Sequence, residues 1–326
     1  MYYCMYISQV RSIPEVDFIE EETMAHGDQL DWHTDRIDQL THPLDGSYQP
    51  IGTGEGVDIY ILDTGINYNH EEFEGRAKYS GYDPSDLITP NASQRGADCH
   101  GHGTHVASLA GGKTYGVAKK VRLYSVRVLN CNNAGPWSGV LNGIDHVSQV
   151  IAERGRPAIV SMSLSGPFQR TVTDAVQTLN SEGVVIVVAA GNDFSDACSR
   201  TPASSPYAIT VGGSSNSDGI YSFTSYGRCV NIFAPGTSIR GADHTCVSCS
   251  KVISGTSMST PMVSGVAAIH LQREPRLSST TVRNRLLTTA STNQIDFSSI
   301  PTNYRSITPN RLLYIPGKGI LSEYLD

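Results

Sequence analysis

The stretch Val184-Val-Ile-Val-Val-Ala-Ala-Gly-Asn192 contains the longest unbroken apolar run of the chain, seven residues from Val184 to Ala190. A run that is continuous rather than alternating is typical of a strand buried on both faces of a sheet. Ala158-Ile-Val160 shows the same pattern. Such segments alternate with helical segments along most of the chain. The alternation predicts an α/β fold, a mostly parallel central sheet with helices on both faces.

The apolar pattern places the individual elements. The predicted strands are Val57–Leu62, Arg122–Leu129, Ala158–Met162, Val184–Ala189, Ala208–Val211 and Val230–Phe233. The predicted helices are Gly103–Gly111, Ser138–Arg154, Thr171–Ser181, Thr256–Gln272 and Ser279–Thr289. In a parallel sheet of this kind the chemistry lies at the carboxyl ends of the strands.

Composition excludes some classes of protein. The 326 residues carry 24 basic and 31 acidic side chains, a net charge of −7, which argues against a nucleic-acid partner. The longest apolar run is far shorter than the ~20 residues that a membrane-spanning helix needs. We therefore expect neither nucleic-acid binding nor a membrane protein.

Three polar motifs stand at strand ends or helix starts, and each has an ordinary structural interpretation. Asp63, after the first predicted strand, is also typical of a turn or a helix cap. In His100-Gly-His-Gly-Thr-His105 the histidines could bind a metal, although the glycines beside His102 favour an exposed helix start. Ser257 opens an apolar helix and could be a cap, but free N–H groups and the positive end of the helix dipole also suit an oxyanion.

Taken together, the motifs carry a family resemblance. Asp63-Thr-Gly65, Gly101-His-Gly-Thr-His-Val-Ala107 and Gly255-Thr-Ser-Met-Ser-Thr-Pro261 follow one another in the order Asp, His, Ser. With Lys113-Thr-Tyr-Gly-Val-Ala-Lys-Lys120, they resemble the subtilisin-like serine proteases (subtilases), and within them the proteinase K family. The resemblance runs from about residue 55 to residue 315.

The resemblance implies a catalytic triad. Ser257 would attack the scissile carbonyl, His102 would take and return its proton, and Asp63 would orient the imidazole. The side-chain amide of Asn192 would join the Ser257 N–H group in binding the oxyanion. No catalytic cofactor is implied.

The resemblance also implies a substrate groove. One wall would pair with an extended peptide by strand addition, and the other would bound the pocket for the P1 side chain. The residues concerned are Ser163, Leu164, Ser165 and Gly166, and Ala189, Ala190 and Gly191. Small residues and the lack of a carboxylate in these segments predict a broad apolar or aromatic P1 preference. Ser165 stands where the family usually has glycine. We expect its larger side chain to narrow the entrance of the pocket for the P1 side chain.

A structural calcium ion is a further implication of the resemblance. The matching ligands are the carbonyl oxygens of Pro206 and Ala208 and the side chain of Asn231. Asn231 is neutral where the family has an aspartate, and fewer carboxylates weaken calcium binding. Asp296 matches a second, weaker calcium position.

Seven cysteines favour disulfides over zinc, because only Cys246-Val-Ser-Cys249 has a zinc-like spacing. The cysteine placement resembles that of the animal type 9 proprotein convertases. This resemblance implies the pairs Cys99–Cys131, Cys198–Cys229 and Cys246–Cys249, and leaves Cys4 without a partner. Disulfides predict a secreted protein. Since Met1–Val10 lacks the features of a signal peptide, we expect the recorded start to lie inside a longer precursor.

The first residues differ from the rest of the chain. Residues 1–28 resemble the C-terminal part of an inhibitory propeptide, and residues 29–326 the catalytic domain; an ordinary edge strand with acidic flanks is the alternative for the first segment. The propeptide would be the protein's own inhibitor and folding aid. Two functions follow: a secreted, monomeric endopeptidase that acts on polypeptides, or a self-processed binding protein that its propeptide keeps blocked.

Overall fold

The computed structural model describes residues 31–84 and 95–317, so the predicted propeptide segment 1–28 lies outside the described residues. The described helices are α1 (Trp32–Ile37), α2 (His102–Gly111), α3 (Trp137–Arg154), α4 (Arg170–Ser181), α5 (Thr256–Arg273), α6 (Ser279–Thr289) and α7 (Thr302–Arg305). The described strands are β1 (Asp58–Asp63), β2 (Ala77–Tyr79), β3 (Arg122–Arg127), β4 (Ala158–Met162), β5 (Gly166–Pro167), β6 (Val185–Ala189), β7 (Arg200–Thr201), β8 (Ile209–Ser214), β9 (Ile232–Pro235), β10 (Ile239–Ala242), β11 (Ser250–Ile253), β12 (Ser291–Thr292) and β13 (Arg311–Leu312).

The main sheet has nine strands in the order β12-β13-β9-β8-β6-β4-β1-β3-β2. Neighbouring strands within this sheet are parallel, except that β12 runs antiparallel to β13. Strand β1 pairs with β3 on one side and with β4 on the other, so the winding of the chain reverses at β1. In open α/β sheets the crevice at such a switch point, at the carboxyl ends of the strands, is where ligands bind.

Helices cover both faces of the sheet, as the alternating pattern predicts. Every residue of β1 is buried, and its side chains point alternately to the two faces. Ile59 and Ile61 belong to the apolar cluster under α2, α5 and α6, whereas Tyr60 and Leu62 belong to the cluster under α3 and α4. Burial on both faces is why the central strand β6 is apolar along its whole length.

The described residues form three disulfides, Cys99–Cys131, Cys198–Cys229 and Cys246–Cys249. These are the pairs that the cysteine resemblance implied. Cys99–Cys131 ties the loop before α2 to the loop after β3, and both loops border the carboxyl edge of the sheet. Cys246–Cys249 closes the turn of the β10–β11 hairpin.

Candidate active site

Asp63 and His102 form a buried pair at the carboxyl edge of the sheet. Asp63 is the last residue of β1 and His102 is the first residue of α2. His102 Nδ1 lies 2.8 Å from Oδ1 and 2.9 Å from Oδ2 of Asp63. Because both contacts use Nδ1 and a carboxylate can only accept, Nδ1 carries the ring proton and donates a hydrogen bond to Asp63. The other ring nitrogen, Nε2, is then free to accept a proton.

The pKa of His102 lies above its ordinary value. Burial of the ring acts to lower it, but the Asp63 charge and hydrogen bond outweigh burial, with a further contribution from the Asp98 charge. Lys251 opposes them. The site therefore stabilises the imidazolium that forms when His102 accepts a proton.

Ser257 is the second residue of α5, an 18-residue helix that is buried along nearly its whole length. The first N–H groups of a helix have no partner within the helix, and the dipole there favours negative charge. The Ser257 hydroxyl donates a hydrogen bond of 3.3 Å to the Ser163 carbonyl. In return, the Ser163 hydroxyl donates one of 2.9 Å to the Ser257 carbonyl, so the two residues are tied together.

Asn192 follows β6 and is anchored against the start of the same helix. Its Oδ1 accepts hydrogen bonds from the N–H and the hydroxyl groups of Thr256, at 2.9 and 3.0 Å. The oxygen end of the amide is thereby fixed. The NH₂ group at the other end of the amide can therefore donate hydrogen bonds to another group.

His102, Ser257 and Asn192 all line one cavity of about 380 Å³. Five of the seven predicted substrate-binding residues line it too: Ser163, Leu164, Ser165, Gly166 and Ala189. The other two do not. Ala190 packs in a separate apolar cluster with Val230 and Phe233, because its side chain points to the other side of the backbone from Ala189. Gly191 is buried with φ of +110°, and a Cβ there would lie 3.0 Å from Ser225 Oγ.

Sequence reasoning missed one wall of the cavity. Leu129, Asn133, Ala134 and Gly135 line it from the loop that joins β3 to α3, and Trp137 lines it from the first position of α3. The predicted strand Arg122–Leu129 includes only Leu129 of these residues, and the predicted helix begins after them, at Ser138. Trp137, one of two tryptophans in the chain and the first residue of α3, was the available signal.

Two of the three clustered histidines have separate hydrogen-bond partners, whereas Nδ1 of His100 is buried without one among the described residues. His102 contacts Asp63, whereas His105 Nε2 lies 3.2 Å from the Lys251 carbonyl and burial lowers the pKa of His105 to about 3. Within residues 31–84 and 95–317 no group of three or more His, Cys, Asp or Glu side chains could hold a metal ion.

The residues predicted to bind calcium do not fit a cation in their present arrangement. The Pro206 carbonyl accepts a hydrogen bond of 2.8 Å from the Arg283 guanidinium, and Asn231 Oδ1 accepts one of 2.9 Å from the Thr210 N–H group. Two of the three oxygens therefore face N–H donors, and one donor is itself a cation. Asp296 is exposed, and its carboxylate accepts hydrogen bonds from the N–H and hydroxyl groups of Ser298.

A parallel α/β sheet whose carboxyl edge holds an Asp–His pair, with a serine at a helix N-terminus on the same cavity, defines the class of serine hydrolases. The subtilase family model matches residues 54–313. The chain therefore belongs to the subtilase family of serine endopeptidases.

The chain is also similar in sequence to individual serine proteinases and to a proprotein convertase. The chain is 45% identical over 314 residues to an extracellular serine proteinase of Thermus sp. strain Rt41A, and 41% identical over 318 residues to alkaline serine exoprotease A of Vibrio alginolyticus. It is 36% identical over 312 residues to proprotein convertase subtilisin/kexin type 9 of Rattus norvegicus. These alignments cover 95%, 94% and 93% of the chain, and 73%, 56% and 45% of the respective relatives.

Solved structures show the same fold. The crystal structure of a cold adapted subtilisin-like serine proteinase superposes with a TM-score of 0.80 at 42% identity, covering 88% of this chain and 98% of that one. Sphericase superposes with a TM-score of 0.71 at 28% identity, covering 82% of this chain and 91% of that one.

Proposed function

We propose that the chain hydrolyses peptide bonds by acyl transfer, with Ser257 as nucleophile, His102 as general base and acid, and Asp63 as the residue that orients the imidazole. The observation that carries the proposal is that His102, whose Nδ1 contacts Asp63, lines the same cavity as Ser257. His102 Nε2 takes the hydroxyl proton while Ser257 Oγ attacks the carbonyl carbon. The imidazolium then gives that proton to the leaving amine. A water molecule repeats the sequence and releases the acid.

The oxyanion of the tetrahedral intermediate is bound by the Asn192 NH₂ group and the Ser257 N–H group. The two hydrogen bonds from Thr256 to Asn192 Oδ1 fix the amide before substrate arrives. Donors that are fixed in advance need no reorganisation during the reaction, which is why such groups contribute strongly to catalysis.

The substrate is an extended polypeptide with an apolar or aromatic P1 side chain. Residues 163–166 offer the backbone edge along which a peptide can add as a strand. Among the described residues that line the cavity, none carries a carboxylate, and Ala189 leaves room for a large side chain. A basic P1 residue would therefore find no partner for its charge.

We also propose secretion and inhibition by the protein's own propeptide. The three disulfides suit an oxidising compartment. Among the described helices, none is long and apolar enough to cross a membrane. Two of the compared relatives are named as an extracellular proteinase and a proprotein convertase. The second candidate function, a self-processed and blocked binding protein, follows from the likeness to the convertase in sequence and cysteine pairs.

A panel of peptides with Phe, Leu, Ala, Lys and Glu at P1 tests the proposed function. We expect turnover of the Phe and Leu peptides, none above background by Ser257→Ala, and nearly unchanged rates for Ser254→Ala, an exposed serine just before α5. A folded protein that turns over no peptide but purifies with its own N-terminal segment bound would favour the second function. Preferred cleavage after Lys would refute the P1 assignment.

A further inference from the structure

Asp98 lies in the loop that precedes α2, four residues before His102, and its carboxylate binds the start of that helix. Oδ1 accepts hydrogen bonds from the His100 and Gly101 N–H groups at 2.9 and 2.7 Å. Oδ2 accepts hydrogen bonds from the N–H and hydroxyl groups of Thr104 at 2.8 and 2.6 Å. The backbone on both sides of His102 is thus held by one carboxylate.

A second connection joins this carboxylate to the strand that carries Asp63. The Thr64 hydroxyl donates a hydrogen bond of 2.8 Å to Asp98 Oδ1 and accepts one of 2.9 Å from the Gly103 N–H group. The Thr64 N–H group also donates to Asp63 Oδ1 at 2.7 Å. Thr64 therefore connects the carboxyl end of β1 directly with the first turn of α2.

We propose that Asp98 is a positioning residue for the reaction: through Thr64 it clamps the start of α2 onto the end of β1, and so sets the distance and angle between His102 and Asp63. The proposal rests on the proposed function, since it assigns Asp98 a part in the work of His102. Neither Asp98 nor Thr64 lines the cavity, so the effect is transmitted through the backbone.

The charge of Asp98 is maintained by the same hydrogen bonds. Burial acts to raise the pKa of Asp98, but the hydrogen bonds from Thr104, Gly101 and His100 outweigh it and hold the pKa below its ordinary value. At neutral pH the group is therefore a carboxylate. It adds to the negative potential at His102, where Asp63 acts in the same sense and Lys251 in the opposite one. The other titratable neighbours of His102 are His100 and His105; the pKa of each lies below the ordinary value, and each ring is neutral above its own pKa.

The test compares Asp98→Asn with Asp58→Asn, a buried aspartate at the opposite end of β1 that bonds to Arg122. Two readouts are measured on the full chain: the pH dependence of labelling by a fluorophosphonate probe, and the titration of His102 by NMR with ¹⁵N-histidine. The His102 signal is assigned by its loss in His102→Ala. We expect Asp98→Asn to slow labelling about tenfold or more, as a small misplacement of a catalytic group does. We also expect it to move the His102 titration to lower pH, while Asp58→Asn moves neither.

A matched pair keeps the proposal testable if Asp98→Asn does not fold. Thr64→Val removes the hydroxyl with little change in shape, whereas Thr64→Ser retains it. We expect slow labelling for Thr64→Val and rescue by Thr64→Ser.

Three distinguishable results would count against the positioning role of Asp98 or against the proposed function. An unchanged His102 titration and labelling rate in Asp98→Asn would overturn the positioning role. An equal loss of labelling in Asp98→Asn and Asp58→Asn, with no shift in titration, would reduce Asp98 to a structural residue. Absence of labelling in the folded parent would instead refute the proposed function, and the NMR titration would still decide whether Asp98 sets the state of His102.

Discussion

Two opposing effects determine the pKa of His102. Its burial disfavours the charged ring, while Asp63 at 2.8 Å and the more distant Asp98 favour it. The favourable effects win, so the pKa of His102 lies above the ordinary value. A general base must be neutral to accept the proton of the Ser257 hydroxyl.

We therefore predict that kcat/KM rises with pH through a midpoint above about 6.5, the ordinary histidine value. The measurement is kcat/KM for an uncharged peptide from pH 5 to 9. Replacing Asp63 by Asn should lower kcat by about 10⁴, because the imidazole is then held in the wrong tautomer. A midpoint well below 6.5 in the parent would contradict the electrostatic account.

Asn192 is predicted to act on the transition state alone. Asn192→Ala should lower kcat by about 10²–10³ and leave KM nearly unchanged, because the amide bonds to the oxyanion and not to the ground-state peptide. Asn284→Ala, on the exposed side of α6, is the control. If KM rises while kcat is preserved, the amide binds substrate rather than the intermediate.

Buried histidines make stability depend on pH. Burial lowers the pKa of His33 to about 4, of His105 to about 3 and of His270 to about 4. Each ring has one buried nitrogen without a hydrogen-bond partner among the described residues. In the unfolded chain these rings titrate near 6.5, so below that pH the unfolded state binds protons that the native state does not. Their contribution to stability is complete above about pH 6.5 and falls toward pH 3–4.

The contribution of His102 to stability changes with pH in the opposite direction, because folding raises the pKa of His102. This contribution is complete below about pH 6.5 and is lost as the pH rises through the pKa of the folded state. Three histidines outweigh one on the acid side. We predict that the free energy of unfolding in urea decreases from pH 6.5 to pH 5, and that His270→Gln decreases less steeply. A flat profile across this range would contradict the prediction.

At the scale of elements, long apolar patterns were the reliable guide. The helix predicted as Thr256–Gln272 is α5, Thr256–Arg273, and the strand predicted as Val184–Ala189 is β6, Val185–Ala189. Their continuous apolar faces are specified by residues within each element. The short strands β5, β7, β12 and β13 could not be predicted, because two residues carry no periodicity and the pairing partner comes from a distant part of the chain.

The site divides in the same way. Asp63, His102 and Ser257 could be found because ordered motifs end strands or begin helices, where the topology brings them to one edge. For the wall from Leu129 to Trp137 the sequence offers only Trp137 as a signal, since a loop reaches the cavity only through tertiary packing. Ala190 does not line the cavity, because its side chain packs with Val230 and Phe233 while that of Ala189 faces the cavity.

Arg283 gives α6 a role that the family resemblance did not suggest. Its guanidinium bonds the Pro206 carbonyl, where a calcium ion was the expectation. We predict that EDTA leaves the Tm unchanged and that Arg283→Ala lowers it, because the Arg283 guanidinium already provides a hydrogen bond to the Pro206 carbonyl. A Tm that falls in EDTA and recovers with added Ca²⁺ would show that calcium binds after all.

For the whole molecule, the disulfides limit the freedom of the unfolded chain. Cys198 and Cys229 are 31 residues apart, and a loop of this length contributes ~3–4 kcal/mol in the chain-entropy model. The double variant Cys198→Ser/Cys229→Ser should lose about this much free energy of unfolding in urea. A loss well under 1 kcal/mol would mean that the bond does not constrain the unfolded state as proposed.

The fold as a whole brings Ser257 at the start of α5, His102 at the start of α2 and Asn192 after β6 to one cavity. The central claim is that this assembly activates Ser257. The most direct measurement is reaction of the folded protein with a fluorophosphonate probe, followed by mass spectrometry of its peptides. We predict a single adduct on Ser257, formed faster as pH rises and absent in His102→Ala. A folded protein with no adduct on Ser257, or with adducts spread over several serines at equal rates, would contradict it.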